Sequence, residues 1–367
     1  MLEVQKYLLE HGIEKLVTDY RIKVVEREDC ILLDYSQIES PKTHPIVIEC
    51  RGLILSKDYK TILCKSFDRF FNYGECVELQ QDFRFDTAVV SEKVDGSIMR
   101  LYYHPSRGWT VATRKNPYGD NTTPSDVGTF DSMFKMCVDW NKLVEVLDTK
   151  LVYVFEMVTP YNRVVKSYGT VCNLYLLSVF CQHSGKEVVL PNEIGNYIET
   201  VFGDLGIKSP KTYPLTSYQS ICDYMTQLDE TDEGFVVFDT ASKIRVKIKN
   251  PSYLAIFSKR INGVITTNTI VKMVMDNEYA EYLTYFQEDT DIVMPYVEAY
   301  EGLRVEILNT YEQYKHIENQ KEFAEVVKQF PYSAILFKLR KGKTYNDSIK
   351  TFTVDYVKYL LLWYIKF

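Results

Sequence analysis

The sequence predicts an α+β fold: a first part built on antiparallel sheets with flanking helices, then an all-helical C-terminal part. Two observations lead there. Up to about residue 250, short β-branched and aromatic runs are separated by turn residues such as Lys57-Asp58 and Ser106-Arg107-Gly108. After Pro251 strand alternation fades, glycine and proline become rare, and long helical periods take over. The boundary falls near residues 250–256, dividing the chain into parts 1–252 and 253–367. A length of 367 residues suits two domains with a large core.

Taken in order, residues 2–17 carry a short helical period through Leu2, Tyr7, Leu8 and Ile13. Strands are expected over 22–25, 31–35, 46–55, 61–66, 87–94, 98–103 and 109–114. Pro117, Gly119, Pro124 and Gly128 make 116–129 a loop, and a helix should run from 130 to 147. Further strands are expected over 151–158 and 173–180, with helices over 191–202 and 215–228. A strand pair follows at 234–240 and 243–249. The expected C-terminal helices cover 264–275, 292–314, 322–330 and 352–367.

The hydrophobic fraction of 46% and charged fraction of 25% are those of a soluble globular protein. The 29 Tyr and 19 Phe suit base-stacking surfaces and compact cores equally. A net charge of −7 argues weakly against a protein that coats nucleic acid, but leaves room for a local basic groove. The eight cysteines are scattered, with no C-x-x-C pair, and read as reduced core residues. The dispersed histidines give a zinc site little support. No signal peptide is evident and no apolar run approaches a membrane span, so a cytoplasmic protein is expected.

Lys93 stands in Ser91-Glu92-Lys93-Val94-Asp95-Gly96-Ser97, between an expected strand and an expected returning strand. Asp95-Gly96 is a turn signal, which puts the lysine at a sheet rim. There it is either a nucleophile or a surface lysine beside a hairpin turn. Glu156 lies within Leu151-Val152-Tyr153-Val154-Phe155-Glu156-Met157-Val158, apolar on both faces as in an interior strand. A carboxylate there costs several kcal/mol unless a cation, metal or donor set meets it. A structural ion pair would serve as well as a functional one. Glu233 precedes Gly234 at a strand mouth, where an acidic turn is the plain alternative.

Residues 243–249 alternate strictly: Ile244, Val246 and Ile248 face one way, Lys243, Arg245, Lys247 and Lys249 the other. From Lys243 to Arg260 there are six Lys/Arg and no acid. That face is either solvated or a cradle for phosphates. Arg51 is expected on a strand face with Glu49, where an ion pair is the simple reading. Arg69 precedes Phe70-Phe71-Asn72, and Arg114 ends a strand.

In this order the pieces resemble the covalent nucleotidyltransferases, polynucleotide ligases and capping enzymes: Lys-x-Asp-Gly, a Glu in an apolar strand, Glu-Gly, then Lys-x-Lys. They are most similar to the phage T4 RNA ligase 1 family. The similarity covers roughly residues 45–255, through Glu49-Cys50-Arg51-Gly52, the run from Phe155 to Val165, and Val246-Lys247-Ile248-Lys249 with Tyr253 beyond. The family prototype has lysines where Arg69 and Arg114 align, which changes donor geometry. The helical tail does not read as the β-barrel that follows the last motif in DNA ligases and capping enzymes.

The resemblance implies an ATP-dependent RNA ligase whose first part is a nucleotidyltransferase domain. Lys93 would take AMP from ATP, pass it to a 5′-phosphate RNA end, and a 3′-hydroxyl end would then displace it. Lys247, Lys249 and a divalent cation would lower the pKa of Lys93 and neutralise the α-phosphate. Glu156 and Glu233 would hold Mg2+ (or Mn2+), directly or through water. Arg51, Arg69, Arg114, Lys247 and Lys249 would meet phosphates, with the central-motif Glu156 also near the nucleotide. Gly96 would let the backbone approach the nucleotide, and Phe71 or Tyr253 would enclose it. Implied partners are RNA ends, tRNA among them, for a monomer acting in a cytoplasm, that of the host if viral. The helical part would contribute RNA specificity. Competing readings are a capping guanylyltransferase, a DNA ligase, and a catalytically silent RNA-binding protein.

Overall fold

The computed structural model describes residues 1–37, 39–123, 128–259, 264–276 and 278–365. Pro124 of the expected loop, Arg260 of the basic run and residues 366–367 of the last expected helix lie outside them. Two compact units are present, Met1–Ala255 and Ile256–Phe367.

The first unit opens with α1 (Glu3–Tyr20), β1 (Ile22–Glu26), β2 (Cys30–Tyr35), α2 (Pro45–Glu49), β3 (Arg51–Ser56), β4 (Ile62–Cys64) and β5 (Phe71–Asn72). It continues with β6 (Ala88–Glu92), β7 (Ser97–His104), β8 (Gly108–Thr113), α3 (Phe130–Met136), α4 (Trp140–Val146), β9 (Leu151–Val158), β10 (Asn173–Cys181) and β11 (Glu187–Val189). It closes with α5 (Ile194–Tyr197), β12 (Thr212–Tyr213), α6 (Tyr218–Met225), β13 (Gly234–Asp239), β14 (Arg245–Lys249) and α7 (Pro251–Phe257), which runs across the boundary.

Three sheets result, ordered β1-β2-β3-β4, β11-β10-β9-β7-β8 and β12-β6-β13-β14-β5. Pairing is antiparallel except between β14 and β5. On β9, Val152 and Val154 pack toward Leu32 and Ile54 of the first sheet. Tyr153, Phe155 and Met157 point the other way, onto Phe134, Leu143 and Phe202. Each such fully buried side chain contributes roughly 1.5–3 kcal/mol, which fixes the register of the strand. The third sheet packs Val90, Phe235, Val237 and Val246 with Ile221 of α6.

Several expectations give way here. Residues 46–49 are helical: Pro45 occupies the first turn and His44 accepts the Ile46 N–H. The Glu49 carboxylate therefore does not pair with Arg51. It accepts the N–H groups of Glu3 (3.1 Å) and Val4 (2.8 Å), capping α1. The helix expected over 130–147 breaks where Asp139 caps α4 through the Lys142 N–H. Lys243 sits in the β13–β14 turn at φ 62°, so the cationic face of β14 holds Arg245, Lys247 and Lys249. Most consequential, β6 and β7 are not a hairpin: they belong to different sheets, and Lys93 lies on the crossing between them.

The second unit is helical: α8 (Thr267–Asp276), α9 (Tyr279–Tyr285), α10 (Thr290–Tyr314), α11 (Gln320–Val327), α12 (Ser333–Arg340), α13 (Tyr345–Ile349) and α14 (Val354–Ile365). Val271, Leu303, Ile335, Leu336 and Leu360 are fully or almost fully buried. No helix among the described residues is long and apolar enough to cross a membrane.

Candidate active site

The crossing at Lys93 is held by backbone and side chain together. The Lys93 N–H donates to the Gly234 carbonyl at 2.9 Å. Asp95, 4% exposed, accepts the Tyr253 hydroxyl (2.7 Å) and the N–H groups of Val165 (2.9 Å) and Lys166 (2.8 Å). Its own N–H donates to the Tyr168 hydroxyl at 3.0 Å. Asn162 ties the same region to β7 and β9 through Ser97 Oγ and the Met157 carbonyl, both at 2.9 Å. A Cβ on Gly96 would stand 2.4 Å from the Met157 carbonyl oxygen. The close approach that Gly96 permits is thus to β9, although the residue also lines the cavity below.

That cavity has a volume of about 350 Å3. Lys93, Glu156, Glu233, Lys247, Lys249 and Arg51 all line it, as do Arg114 and Arg245. Lys93 Nζ lies 2.6 Å from Glu233 Oε2, and Lys249 Nζ lies 2.9 Å from Glu233 Oε1. One buried carboxylate thus bridges two lysines. Burial pulls the Lys93 ammonium down, but Glu233 and Glu156 outweigh it and hold its pKa above the ordinary value. This corrects the expectation that neighbouring cations depress it: among the protein's own groups the carboxylates win. Burial likewise pushes Glu233 up, and the two lysines bring it below its ordinary value.

Glu156, opposite Ile98 and Tyr175 in the sheet, faces the cavity on the Val152–Val154 side of β9. Burial, with Glu233 and Asp95 nearby, pushes its pKa up to about 8 against the pull of Lys93 and Arg51. Lys247 shows the reverse. Burial, with Lys93, Arg51 and Lys249 around it, pulls it down to about 8.

Not every expected residue reaches this cavity. Arg69, Phe71 and Tyr253 do not line it. Arg69 and Phe71 line a neighbouring cavity of about 850 Å3, and Phe70 takes the place expected of Phe71. The Arg69 guanidinium lies 4.0 Å from the Tyr35 ring centroid and its buried Nη1 has no hydrogen-bond partner. Tyr253, 1% exposed, spends its hydroxyl on Asp95 instead of enclosing a ligand. Arg114 lines the cavity with its guanidinium paired to Asp34 at 2.9 Å, and Arg245 pairs with Glu187 at 2.7 Å. Asn162 stands after the turn Thr159-Pro160-Tyr161 in the run from Phe155 to Val165, where the sequence marks it only weakly. Asp95 and Tyr168 are not among the expected site residues, and the position of Asp95 within Lys-x-Asp-Gly was the available signal.

The described residues contain no group of three or more His, Cys, Asp or Glu that could hold a metal ion. Glu156 and Glu233 both line the cavity, and a cation held there would draw most of its ligands from water and phosphate, as Mg2+ does.

A profile of the family described as RNA ligase, of the T4 RNA ligase 1 type, matches residues 49–253. The chain is 27% identical to a protein of Autographa californica nuclear polyhedrosis virus named as a bifunctional polynucleotide kinase/RNA ligase, over 94% of this chain and 50% of that protein. It thus spans half of that relative's length. It is 28% identical to an RNA ligase of Rhodothermus phage RM378, over 74% of each. Among solved structures, an archaeal ATP-dependent RNA ligase superposes with a TM-score of 0.45 at 14% identity, over 91% of this chain and 79% of that one.

Proposed function

The chain belongs to the T4 RNA ligase 1 family of RNA ligases, and from that premise we propose that it joins 5′-phosphate and 3′-hydroxyl RNA ends at the expense of ATP. The observation that supports this reading is the convergence of Lys93, Glu156, Glu233, Lys247 and Lys249 on one cavity. A silent RNA-binding protein has no use for a lysine drawn in beside the buried Glu233 and the half-buried Glu156, since each desolvated charge costs several kcal/mol.

In the proposed first step the Lys93 amine attacks the α-phosphorus of ATP. The ammonium first gives one proton toward Glu233, 2.6 Å away. As the nitrogen–phosphorus bond forms and the bond to pyrophosphate breaks, the second proton leaves to the pyrophosphate or to water. Lys247, Lys249 and Arg51 neutralise the phosphate charge, which is the main demand of phosphoryl chemistry. Mg2+ or Mn2+ beside Glu156 and Glu233 would supply further positive charge, favouring the amine form of Lys93 and screening the α-phosphate. AMP then passes to the 5′-phosphate end, and attack by the 3′-hydroxyl seals the strand and releases AMP. Arg114 and Arg69 are assigned to the phosphate side, Arg69 from behind Tyr35. Asp95, Gly96 and Tyr253 position the lysine.

We assign RNA selection to the helical unit and take the enzyme to be a monomer acting on broken RNA, tRNA included, in a cytoplasm. Incubation with α-labelled ATP and Mg2+, then a denaturing gel, tests the reading. The wild type should carry a label that Lys93→Ala lacks. Label from GTP alone would indicate a capping enzyme, and sealing of nicked DNA in preference to RNA a DNA ligase. No label on the wild type would end the proposal.

A further inference from the structure

From residue 326 to the end the sequence has eight Lys/Arg and two acids, Asp347 and Asp355, whereas the other acids of this unit lie between residues 276 and 325. The fold gathers five of these cations around the α12–α13 hairpin: Lys338, Arg340, Lys341, Lys343 and Lys350. Not all five are free. Arg340 donates to Gln320 and to the carbonyls of Ile317 and Glu318, so it braces α11. Lys341, Lys343 and Lys350 are exposed and make no ion pair among the described residues.

The turn is built to present them. Gly342, at φ +79°, lets the chain reverse while the Lys343 N–H returns to the Lys338 carbonyl at 3.2 Å. Thr344 caps α13 and engages the Asp347 carboxylate at 2.6 Å, so the nearest acid is already occupied. Lys338 Nζ is anchored to Thr351 Oγ1 at 2.6 Å and lies 4.9 Å from the Phe352 ring centroid. That ring, half-buried, packs against Tyr356 with centroids 4.8 Å apart.

Like charges gathered on one short segment repel one another unless an anion faces them. A folded chain of net charge −7 has no composition-wide reason to concentrate cations here. Three exposed point charges, with the Phe352 ring beneath Lys338, match a sugar–phosphate backbone carrying accessible bases. We propose that the Lys341–Gly342–Lys343 turn, with Lys350 and Lys338, is a phosphate-binding surface for the RNA being joined. The proposal rests on the reading of the chain as an RNA ligase.

The test is fluorescence anisotropy with a labelled 5′-phosphorylated single-stranded RNA, titrated with the whole chain over a range of KCl. The variants are Lys341→Ala/Lys343→Ala/Lys350→Ala and the corresponding triple Lys→Arg. The alanine variant should bind at least tenfold more weakly, with the slope of log K against log salt reduced by about two, as expected for loss of roughly three phosphate contacts to a single strand. The arginine variant should bind as the wild type does. ATP labelling of Lys93 should be unchanged in both, since none of the three lines the cavity around Lys93. Wild-type RNA affinity and salt slope in a folded alanine variant would overturn the surface. So would equally tight, equally lysine-dependent binding of poly-glutamate, which would mark a docking site for acidic protein. Loss of RNA binding in the alanine variant, beside a wild type that binds RNA but never labels at Lys93, would sink the ligase reading and leave this surface standing.

Discussion

Glu233 holds the Lys93 ammonium at 2.6 Å while its other oxygen holds Lys249 at 2.9 Å, so the proposed nucleophile rests in its unreactive, protonated form. Glu233 and Glu156 are what keep the Lys93 pKa above its ordinary value; burial alone would lower it. Removing the Glu233 charge should therefore free the amine. In Glu233→Gln the pH midpoint for modification of Lys93 by an amine-selective reagent, read by peptide mass spectrometry, should move to lower pH. Adenylylation should nonetheless fall, because the proton acceptor and the proposed metal contact go with the charge. A midpoint that stays in place or rises would show that Glu233 does not control this lysine.

Glu156 makes a stability argument. Its folded pKa of about 8 is raised mainly by burial. Between its unfolded value, near 4.3, and about 8 the folded state binds more protons than the unfolded one, so this group lowers stability as pH rises through that window. Glu156→Gln removes the penalty while keeping the shape. It should stabilise the protein at pH 8 relative to pH 5 by about 1–3 kcal/mol, the shift being discounted for the cavity's access to water. Urea denaturation at the two pH values reads the difference, and an equal effect at both would contradict the assignment.

Much of this site could be read from residue order, for a physical reason. A carboxylate in the apolar strand around Glu156, and a strictly alternating face with Lys247 and Lys249, are costly arrangements that few structures other than a charged cavity can use. The sheet change at Lys93 was hidden because Asp95-Gly96 is the same local signal for a hairpin and for a crossing. What decides is that Asp95 finds donors in Val165, Lys166 and Tyr253, far along the chain. Strand propensity in Ile46-Val47-Ile48 lost to Pro45 and to the cap that Glu49 provides for α1. Which of Phe70 and Phe71 would face the cavity could not be told where the strand is only two residues long.

Lys247 sets a pH dependence of its own. With a pKa of about 8 it is cationic below that value and neutral above it. Its attraction for phosphate should therefore be present at pH 7 and fade as pH rises past 8. The KM for ATP in the labelling reaction is expected to rise between pH 7.5 and 9. In Lys247→Arg the charge persists, so that rise should flatten. Lys247→Ala should raise KM already at pH 7 and slow labelling by about 100–1,000-fold, the range for losing one charge-stabilising group, while leaving the circular dichroism spectrum unchanged. Wild-type labelling by Lys247→Ala would remove this residue from the phosphate cradle.

Tyr253 does not line the cavity, yet its effect should reach Lys93. The hydroxyl is one of three donors on the buried Asp95 carboxylate, and burial already pushes the Asp95 pKa above its ordinary value. Tyr253→Phe removes the donor and keeps the ring. The two backbone N–H groups remain, so the loss should be partial, about 1–2 kcal/mol of stability. If Tyr253 acts through the Lys93 loop, the maximal labelling rate should fall several-fold at a temperature well below unfolding while the KM for ATP stays constant. A purely structural tyrosine would lower the melting temperature and leave that rate alone. A rise in KM would instead return Tyr253 to the nucleotide wall. Asp95→Asn should reproduce the same split more severely, because the amide cannot accept from all three donors in the same geometry. Adding Tyr253→Phe to it should cost little more, since both changes cut one connection.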